Sequence, residues 1–288
     1  MSVVKVTLLG GSGFIGRHLT AALQARGDQV GAVSLRDPDA AAAASAGSDA
    51  VVNLAGASVS QRWTAAHKRE IARSRVDLPA AYLAALSRAR TRPRTYVSAS
   101  AIGYYGTSRD ATFTEMSPPG EDFLARVCVD WEATAQSAAG LGMRVALVRT
   151  GLVLGTDGGA LAPLLPVFRA GLGGVVASGE QWYSWIHVDD LVGIYLLALD
   201  AATGPLNATA PVPVTNREFT HTLGRVLHRP TLLPVPAFAL QALLGEGATI
   251  VTEGQRVLPE RPRAAGYVFR HPALEGALRA LVQPAPRA

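Results

Sequence analysis

Short apolar runs alternate with longer stretches of helical periodicity along the first two thirds of the chain. The apolar runs are Val3–Leu9, Gln29–Leu35, Val51–Leu54, Arg94–Ser98 and Arg144–Arg149. The helical stretches are Phe14–Ala25, Ala65–Ala89, Pro119–Ala139 and Val188–Leu199. Runs of this length suit strands buried on both faces, and their alternation with helices is typical of a parallel sheet covered on both sides. The pattern therefore predicts an α/β protein with a doubly wound parallel sheet.

The connection from Arg36 to Ala50, between the second and third apolar runs, is short. A doubly wound half normally places a helix, a further strand and another connection there, and a parallel crossover needs about a dozen residues or more. These residues, rich in alanine, can hold a short helix that includes Ala40–Ala44, but hardly a strand as well. We therefore expect the usual outer strand to be missing or vestigial.

The alternation breaks after Gly155, where glycine-rich turn signals accumulate. Beyond the helix that begins at Val188, the pattern predicts Asn216–Leu227 as a helix, Thr231–Val235 as a strand, and Ala237–Leu244 and Pro272–Leu281 as helices. We interpret residues 1–160 with 186–210 as a dinucleotide-binding domain. Residues 161–185 with 211–288 are interpreted as a smaller α/β domain on the substrate side, over the strands' carboxyl ends, where such sheets bind ligands.

The strongest motif follows the first strand and opens the first helix. It consists of Gly10, Gly11, Ser12, Gly13, Phe14, Ile15 and Gly16. Glycines at three-residue spacing permit a tight turn, close approach of the backbone to a pyrophosphate and close packing of helix on strand. The helix N-terminus adds free N–H groups and a positive dipole. The motif predicts binding of a dinucleotide cofactor.

The residue after the second strand bears on the choice between NAD and NADP. An acidic residue about twenty positions past the last motif glycine would hold the adenosine ribose of NAD, but this position is Arg36. A guanidinium suits a 2′-phosphate through paired charge-assisted hydrogen bonds. Asp37 is an alternative, because its carboxylate could turn towards a ribose hydroxyl. We expect NADP in preference to NAD.

Composition excludes several other classes. Hydrophobic residues make up 49% of the 288, enough for a large core, and no apolar run reaches the ~20 residues that span a bilayer. Cys128 is the only cysteine and the N-terminus lacks a signal-peptide pattern, so we expect a cytoplasmic protein without a membrane partner.

The net charge of +5 raises the question of a nucleic-acid partner. The basic residues are scattered, and their one dense group, Arg88 to Arg94, has no aromatic stacking platform. We interpret that group as a solvated loop and expect no nucleic-acid partner. The six histidines show no metal-ligating spacing, so we expect no metal.

Several stretches resemble the extended short-chain dehydrogenases/reductases. They are the glycine turn, Asn53-Leu-Ala-Gly56, Ser98-Ala-Ser-Ala-Ile-Gly-Tyr-Tyr-Gly106 and Trp185-Ile-His-Val-Asp-Asp190. Others resemble an atypical subgroup labelled epimerase family protein: Arg62-Trp-Thr64, Ser74-Arg75, Leu147-Val-Arg-Thr-Gly-Leu-Val-Leu-Gly155, Pro211-Val-Pro-Val-Thr-Asn216 and Gly254-Gln-Arg-Val-Leu-Pro259. The resemblance implies an NADP-type cofactor and a small C-terminal domain over the nicotinamide, with no settled substrate.

The resemblance also implies further cofactor contacts. Leu54, Ala55 and Gly56 are expected to line the adenosine and ribose. Ser98 is expected beside the nicotinamide, which Thr150, Gly151 and Leu152 should flank. His187, with Asp189 and Asp190, is interpreted as helix capping and packing.

The reaction of that superfamily depends on Tyr-x-x-x-Lys, in which the ammonium lowers the phenol pKa and fixes the ribose. This pair is absent: four residues before Lys5 is Met1, and four before Lys68 is Thr64. In the corresponding helix Cys128 stands where lysine would be and Leu124 where tyrosine would be.

Other residues must therefore supply any proton donor. The candidates are Ser100, at the superfamily's active-site serine, the loop tyrosines Tyr104 and Tyr105, and Cys128. A reactive Cys128 needs a nearby positive charge, for which Arg126 is one possible source. The alternative for Ser100 is a strand-end hydroxyl that bonds the backbone, and the alternative for Tyr104, Tyr105 and Cys128 is packing.

Two functions remain open. One is an NADP-dependent oxidoreductase or epimerase of the extended short-chain type, acting on an unidentified small carbonyl or sugar-like substrate with a repurposed proton donor. The other is an NADP(H)-binding sensor without turnover that signals to a protein partner; some relatives have a cell-division association. A protein partner or a homodimer is compatible with either.

Overall fold

The computed structural model describes residues 3–283. In chain order its strands are β1 (Lys5–Leu9), β2 (Gln29–Val33), β3 (Ala50–Asn53), β4 (Thr95–Ala101), β5 (Thr112–Phe113), β6 (Arg144–Thr150), β7 (Leu152–Leu154), β8 (Trp182–Tyr183), β9 (Trp185–His187), β10 (Gly204–Ala208), β11 (Val214–Thr215) and β12 (Arg256–Val257). Its α-helices are α1 (Phe14–Ala25), α2 (Pro38–Ser45), α3 (Ala65–Arg75), α4 (Asp77–Ser87), α5 (Phe123–Gln136), α6 (Leu164–Arg169), α7 (Val188–Asp200), α8 (Asn216–Leu227), α9 (Ala237–Leu244), α10 (Thr249–Thr252), α11 (Glu260–Ala264) and α12 (Leu274–Val282). Short 3-10 helices cover Ile102–Tyr105, Ser137–Leu141 and Gly245–Ala248.

A six-stranded parallel sheet organises the molecule, in the order β10-β6-β4-β3-β1-β2. Successive residues of β1 face opposite sides. Leu8 packs with the core beneath α1 and α7, whereas Leu9 packs with the core beneath α2 and α4. Burial of both faces explains why these strands read as continuous apolar runs. The predicted doubly wound α/β fold, a Rossmann-like NAD(P)-binding fold, is confirmed.

The expected absence of the outer strand is also confirmed within the described residues. Between β2 and β3 the chain forms only helix α2, which begins after Asp37. Strand β2 is therefore the edge of the sheet, and Gly31 and Ala32 are exposed on it.

Two predicted helices have different boundaries from those expected. Ala65–Ala89 is two helices that meet at Val76. Pro79 lies in the first turn of the second helix, where its ring would clash with the carbonyl of residue 75 in one continuous helix. The helix expected from Pro119 begins at Phe123, because the Asp122 carboxylate accepts the Ala125 N–H at 2.8 Å and caps it there.

The predicted strand Thr231–Val235 is wrong. In this stretch only Val235 pairs with another segment, through one isolated bridge to Val176. Prolines at 230, 234 and 236 lack an N–H, so the segment cannot donate a regular ladder of hydrogen bonds. Conversely, Gly204–Ala208 was not foreseen as a strand and forms the sheet edge β10.

The C-terminal part packs on the carboxyl end of the sheet around its own core. This core joins Leu154 and Trp185 to Phe219 of α8 and Leu278 of α12. Strand β12 pairs with β5, and the region is therefore continuous with the loop that follows β4. In the described part of the chain, no helix is long and apolar enough to cross a membrane.

Two buried carboxylates fasten the C-terminal part to the rest. Asp190, in the first turn of α7, accepts the backbone N–H of Arg270 at 2.8 Å and of His271 at 2.9 Å. Glu115 accepts the backbone N–H of Asn207 at 2.9 Å and of Arg261 at 3.2 Å. Both carboxylates thus hold main-chain donors of the segment around residues 261–271.

Candidate functional site

The glycine turn is a cradle that other residues would fill. Gly10 has φ +80°, and a Cβ there would lie 3.0 Å from the backbone of Ala55. A Cβ at Gly16 would lie 2.4 Å from the Gly11 carbonyl oxygen. Helix α1 begins at Phe14, its N-cap residue Gly13 offers no side-chain cap, and within the described residues its first N–H groups are therefore free for a ligand. These features fit a pyrophosphate.

Phe14 and Ile15 contribute to this turn mainly through their backbone. The Phe14 ring fills the space beside Gly155 and Gly158, where a Cβ would lie 2.4 Å from its atoms. Ile15 packs against the core beneath α1. Ser12 and Gly13 remain exposed at the helix start, so of the predicted motif residues they are the most open to a ligand.

Asp37 and Arg36 have different roles at the end of β2. The Asp37 carboxylate accepts the Ala40 N–H at 3.0 Å and caps α2. Arg36 is exposed. One oxygen of the Asp37 carboxylate is thus used by the helix cap, whereas within residues 3–283 the Arg36 guanidinium makes no such bond and is exposed to solvent.

The other predicted cofactor segments meet at the same carboxyl edge. Strand β3 pairs with β1 and β4, which brings Leu54, Ala55 and Gly56 beside the glycine turn and near Ser98. Ser98 is buried and donates to the Ala99 carbonyl at 2.9 Å. Thr150 ends β6, and Gly151 and Leu152 follow against Ser184 and Ala208. A Cβ at Gly151 would lie 2.3 Å from the Ser184 carbonyl oxygen.

Ser100 lies in a buried ion-pair network. Its hydroxyl donates to Glu132 Oε1 at 2.6 Å. Arg149 donates to the same carboxylate twice, from Nε at 2.8 Å and from NH2 at 2.7 Å. Ser100 and Arg149 are 3% exposed and Glu132 is 8% exposed. Burial lowers the pKa of Arg149, but its bonds to Glu132 outweigh this and raise it.

The two loop tyrosines both lie near the Arg149 guanidinium but differ in their hydroxyls. Tyr105 is buried, accepts from Arg149 at 2.9 Å and donates to Asn207 at 2.6 Å. Burial raises its pKa to about 12. Tyr104 is half-buried with its ring 3.5 Å from the Arg149 Cζ. Within residues 3–283 its hydroxyl forms no hydrogen bond to the protein.

Cys128 is not an activated thiol. It is 3% exposed, and burial, aided by the charge of Glu132, raises its pKa to about 12. Arg126, the expected source of positive charge, is exposed and donates instead to the Glu121 carbonyl. The cation that favours the thiolate most is Arg75 of α3, with a smaller effect from Arg149.

Arg75 was missed as a site residue, although Ser74-Arg75 is among the stretches that carried the resemblance. Its NH1 donates to the carbonyls of Ala57 at 3.0 Å and Ile71 at 3.3 Å. A Cβ at Gly56 would lie 3.1 Å from its Cζ. Its guanidinium therefore lies against the segment expected to line the ribose.

His187 caps α7, as interpreted from the sequence: its Nδ1 accepts the Asp189 N–H at 3.0 Å. Its ring stacks on His271 with centroids 3.8 Å apart. Burial, then the nearby His271, lowers its pKa to about 4. His187, Asp189 and His271 bring potential metal ligands within 4.8 Å of one another, which spacing along the chain did not reveal. Because Nδ1 already accepts the capping bond, it has no lone pair free for an ion.

A glycine turn and an uncapped helix N-terminus at the carboxyl edge of a doubly wound parallel sheet define an NAD(P)-binding protein of the Rossmann class. Comparison with known families gives the narrower assignment. A model described as the NAD dependent epimerase/dehydratase family matches residues 6–208, and a domain of unknown function, DUF1731, matches residues 235–281. The chain belongs to the NAD dependent epimerase/dehydratase family.

Its similarity to known proteins runs over nearly the whole chain. It is 45% identical to the chloroplastic epimerase family protein SDR39U1 homolog of Arabidopsis thaliana, over 98% of this chain and 88% of that protein. It is 39% identical to human epimerase family protein SDR39U1, over 97% of this chain and all of that one. The crystal structure of the human protein with NADPH superposes with a TM-score of 0.91 at 37% identity, covering 97% of this chain and 99% of that chain.

Proposed function

We propose that the protein is an NADP(H)-dependent oxidoreductase or epimerase of the extended short-chain type that works without Tyr-x-x-x-Lys. A bound nicotinamide supplies hydride exchange with a carbonyl or alcohol carbon. The chain's own residues bind and orient that cofactor, exclude water and supply a proton donor. The substrate proposed is a small carbonyl or sugar-like molecule, and the proposed location is the cytoplasm, although the Arabidopsis relative is named as chloroplastic.

The preference for NADP(H) rests on the pair Arg36 and Asp37. Because Asp37 Oδ1 caps α2, only one oxygen of its carboxylate is left for a ribose diol. Arg36 is exposed at the ribose-reading position and can pair with a 2′-phosphate. The human relative, crystallised with NADPH, supports the same preference.

Calorimetric titration of NADPH and NADH tests this preference. Arg36→Ala should weaken NADPH roughly 10- to 100-fold, since a hydrogen bond to a charged group contributes about 1.5–3 kcal/mol, and should leave NADH unchanged. Arg225→Ala, which removes an exposed arginine on α8, is the matched control and should change neither. Equal affinities in the wild-type protein, or an unchanged NADPH affinity in Arg36→Ala, would refute the preference.

For the proton donor the contacts favour Tyr104 over Ser100 and Cys128. The Ser100 hydroxyl already donates to Glu132, and the Cys128 thiol is buried with a raised pKa. The Tyr104 hydroxyl is free to bond a substrate, and the Arg149 guanidinium lies beside its ring. We assign Ser100 and Cys128 to positioning and packing.

The assignment is tested by NADPH oxidation with simple carbonyl compounds, and by NADP+ reduction or epimerisation with UDP-glucose, as probe reactions. Tyr104→Phe keeps the ring over Arg149 and removes only the hydroxyl. It should lower any measured rate more than tenfold with NADPH affinity nearly constant. Cys128→Ser should be nearly neutral. An unchanged rate in Tyr104→Phe, or a larger loss in Cys128→Ser, would contradict the assignment.

The second candidate function is an NADP(H) sensor without turnover that signals to a protein partner. It is favoured by the same contacts, because three of the four candidate donors (Ser100, Tyr105 and Cys128) are buried. Tight NADPH binding together with no turnover in any of these probe reactions would favour this function over the first.

A further inference from the structure

Arg75 is a half-buried cation for which the described chain supplies no carboxylate. The ion pairs formed by residues of α3 and its surroundings involve Lys68 and Arg73 instead. Burial lowers the pKa of Arg75, as expected of a guanidinium removed from water without a counter-charge. A buried guanidinium without a carboxylate partner is stabilised when an anionic or polar ligand accepts hydrogen bonds from its N–H groups.

The position of Arg75 is fixed while part of its donor set stays open. NH1 is held by the carbonyls of Ala57 and Ile71, and the guanidinium lies over the Trp131 ring at 5.1 Å. Within residues 3–283, Nε and NH2 make no hydrogen bond. The group is thus preorganised with two nitrogens free, and it packs against Gly56, whose missing Cβ leaves room for it.

Arg75 lies close to the helix position where the resemblance expects a lysine. That position in α5 is Cys128, and Trp131 lies one helical turn further along. Arg75 reaches both from α3, and its charge acts on the Cys128 thiol. Gly56, next to the same guanidinium, belongs to the segment expected to line the ribose.

We propose that Arg75 replaces this lysine as the cationic residue that binds the nicotinamide-side ribose of the cofactor, from α3 instead of α5. The free N–H donors suit the two ribose hydroxyls, and the nearby charge fixes the cofactor without an acid/base pair on α5. Arg75 is thus a cofactor-binding residue, which supplies the positive charge that Cys128 does not provide from α5. The inference rests on the proposed NADP(H) binding.

Two ligands separate this contact from the rest of the site. NADPH carries the nicotinamide-side ribose, whereas adenosine 2′,5′-bisphosphate carries only the adenine-side groups. Calorimetry of Arg75→Gln should show NADPH binding weakened about tenfold or more, with the bisphosphate within about twofold of wild type. Arg73→Gln, on the exposed face of the same helix and paired with Glu70 at 3.3 Å, is the control and should bind both ligands as wild type does.

The outcomes that overturn the proposal are distinct. NADPH affinity unchanged in Arg75→Gln, or equal losses for both ligands, would show that Arg75 does not contact that ribose. If thermal melting shows that Arg75→Gln does not fold, Arg75→Lys is measured instead. Its NADPH binding should be weakened while its bisphosphate binding stays that of wild type, and no loss, or an equal loss for both ligands, overturns the proposal. A wild-type protein that binds neither ligand would instead refute NADP(H) binding itself, and the Arg75 contact with it.

Discussion

The ion pair between Glu132 and Arg149 allows a quantitative test of how the centre of the site is held together. Arg149 makes two hydrogen bonds to the carboxylate and one to Tyr105, and both charges are almost completely buried. Glu132→Gln keeps the shape and an acceptor for Ser100 but removes the negative charge. Arg149 then remains buried without a counter-charge, which costs about 3–5 kcal/mol.

Urea denaturation measures the free energy of unfolding of each variant. Arg149→Met should cost a similar amount, because it leaves the Glu132 carboxylate buried alone. The double variant should cost clearly less than the sum of the two, since neither uncompensated charge is left. Glu70→Gln, which breaks the exposed pair with Arg73, should cost less than about 1 kcal/mol.

If the free energy of unfolding falls by less than about 1 kcal/mol in either single variant, or if the two decreases simply add, the pair does not stabilise the site in this way. Either result would mean that water or other groups compensate the charges. The buried pair would then not be what holds Ser100, Tyr104 and the end of β6 in place.

Three further predictions concern single residues. Gly16→Ala should lose about 1–3 kcal/mol of stability and most of its NADPH affinity, because the new Cβ would lie 2.4 Å from the Gly11 carbonyl oxygen. Gly140→Ala is the control: Gly140 has open space around it, so this variant should lose neither stability nor affinity. At pH 8 the reaction of Cys128 with an aromatic disulfide reagent should be slower in the folded protein than in urea, by a factor on the order of a hundred or more. The reason is the burial of the thiol and its pKa of about 12. Rapid labelling of the folded protein would contradict this. His187 has a pKa lowered to about 4, so the unfolded chain binds a proton first as the pH falls. Stability should therefore decrease from pH 6.5 to pH 4, by up to about 3 kcal/mol, and His187→Asn, which can still cap α7, should flatten this decrease.

Much of the fold could be predicted from the sequence because its signals are local. The apolar runs and the glycine turn each lie within a few residues, and the missing strand followed from the length of one connection. The strand β10 was missed because Gly204 and Pro205 weaken its pattern. Such residues are tolerated there because β10 is an edge strand, where an N–H can be dispensed with.

The candidate site was only partly predictable for the opposite reason. Arg36 and the glycine cradle follow from short spacing, but Ser100 and Glu132 are 32 residues apart and meet only through the packing of α5 on β4. Arg75 and Cys128 likewise lie on separate helices. A periodicity or a motif records which face a residue occupies, not which charge from another element reaches it, so the roles of these residues depended on the fold.

The hydrogen bonds that Glu115 and Asp190 accept from the backbone affect which amino-acid substitutions this chain can tolerate. Their partners around residues 261–271 include the main-chain N–H groups of Arg261, Arg270 and His271, and every amino acid except proline offers such a donor. Side chains at these three positions can therefore be exchanged during evolution without loosening these bonds. The two carboxylates have no such freedom. A hybrid that joins residues up to 208 of this chain to the C-terminal stretch of a relative should stay assembled as long as both acids are kept and no proline enters those positions.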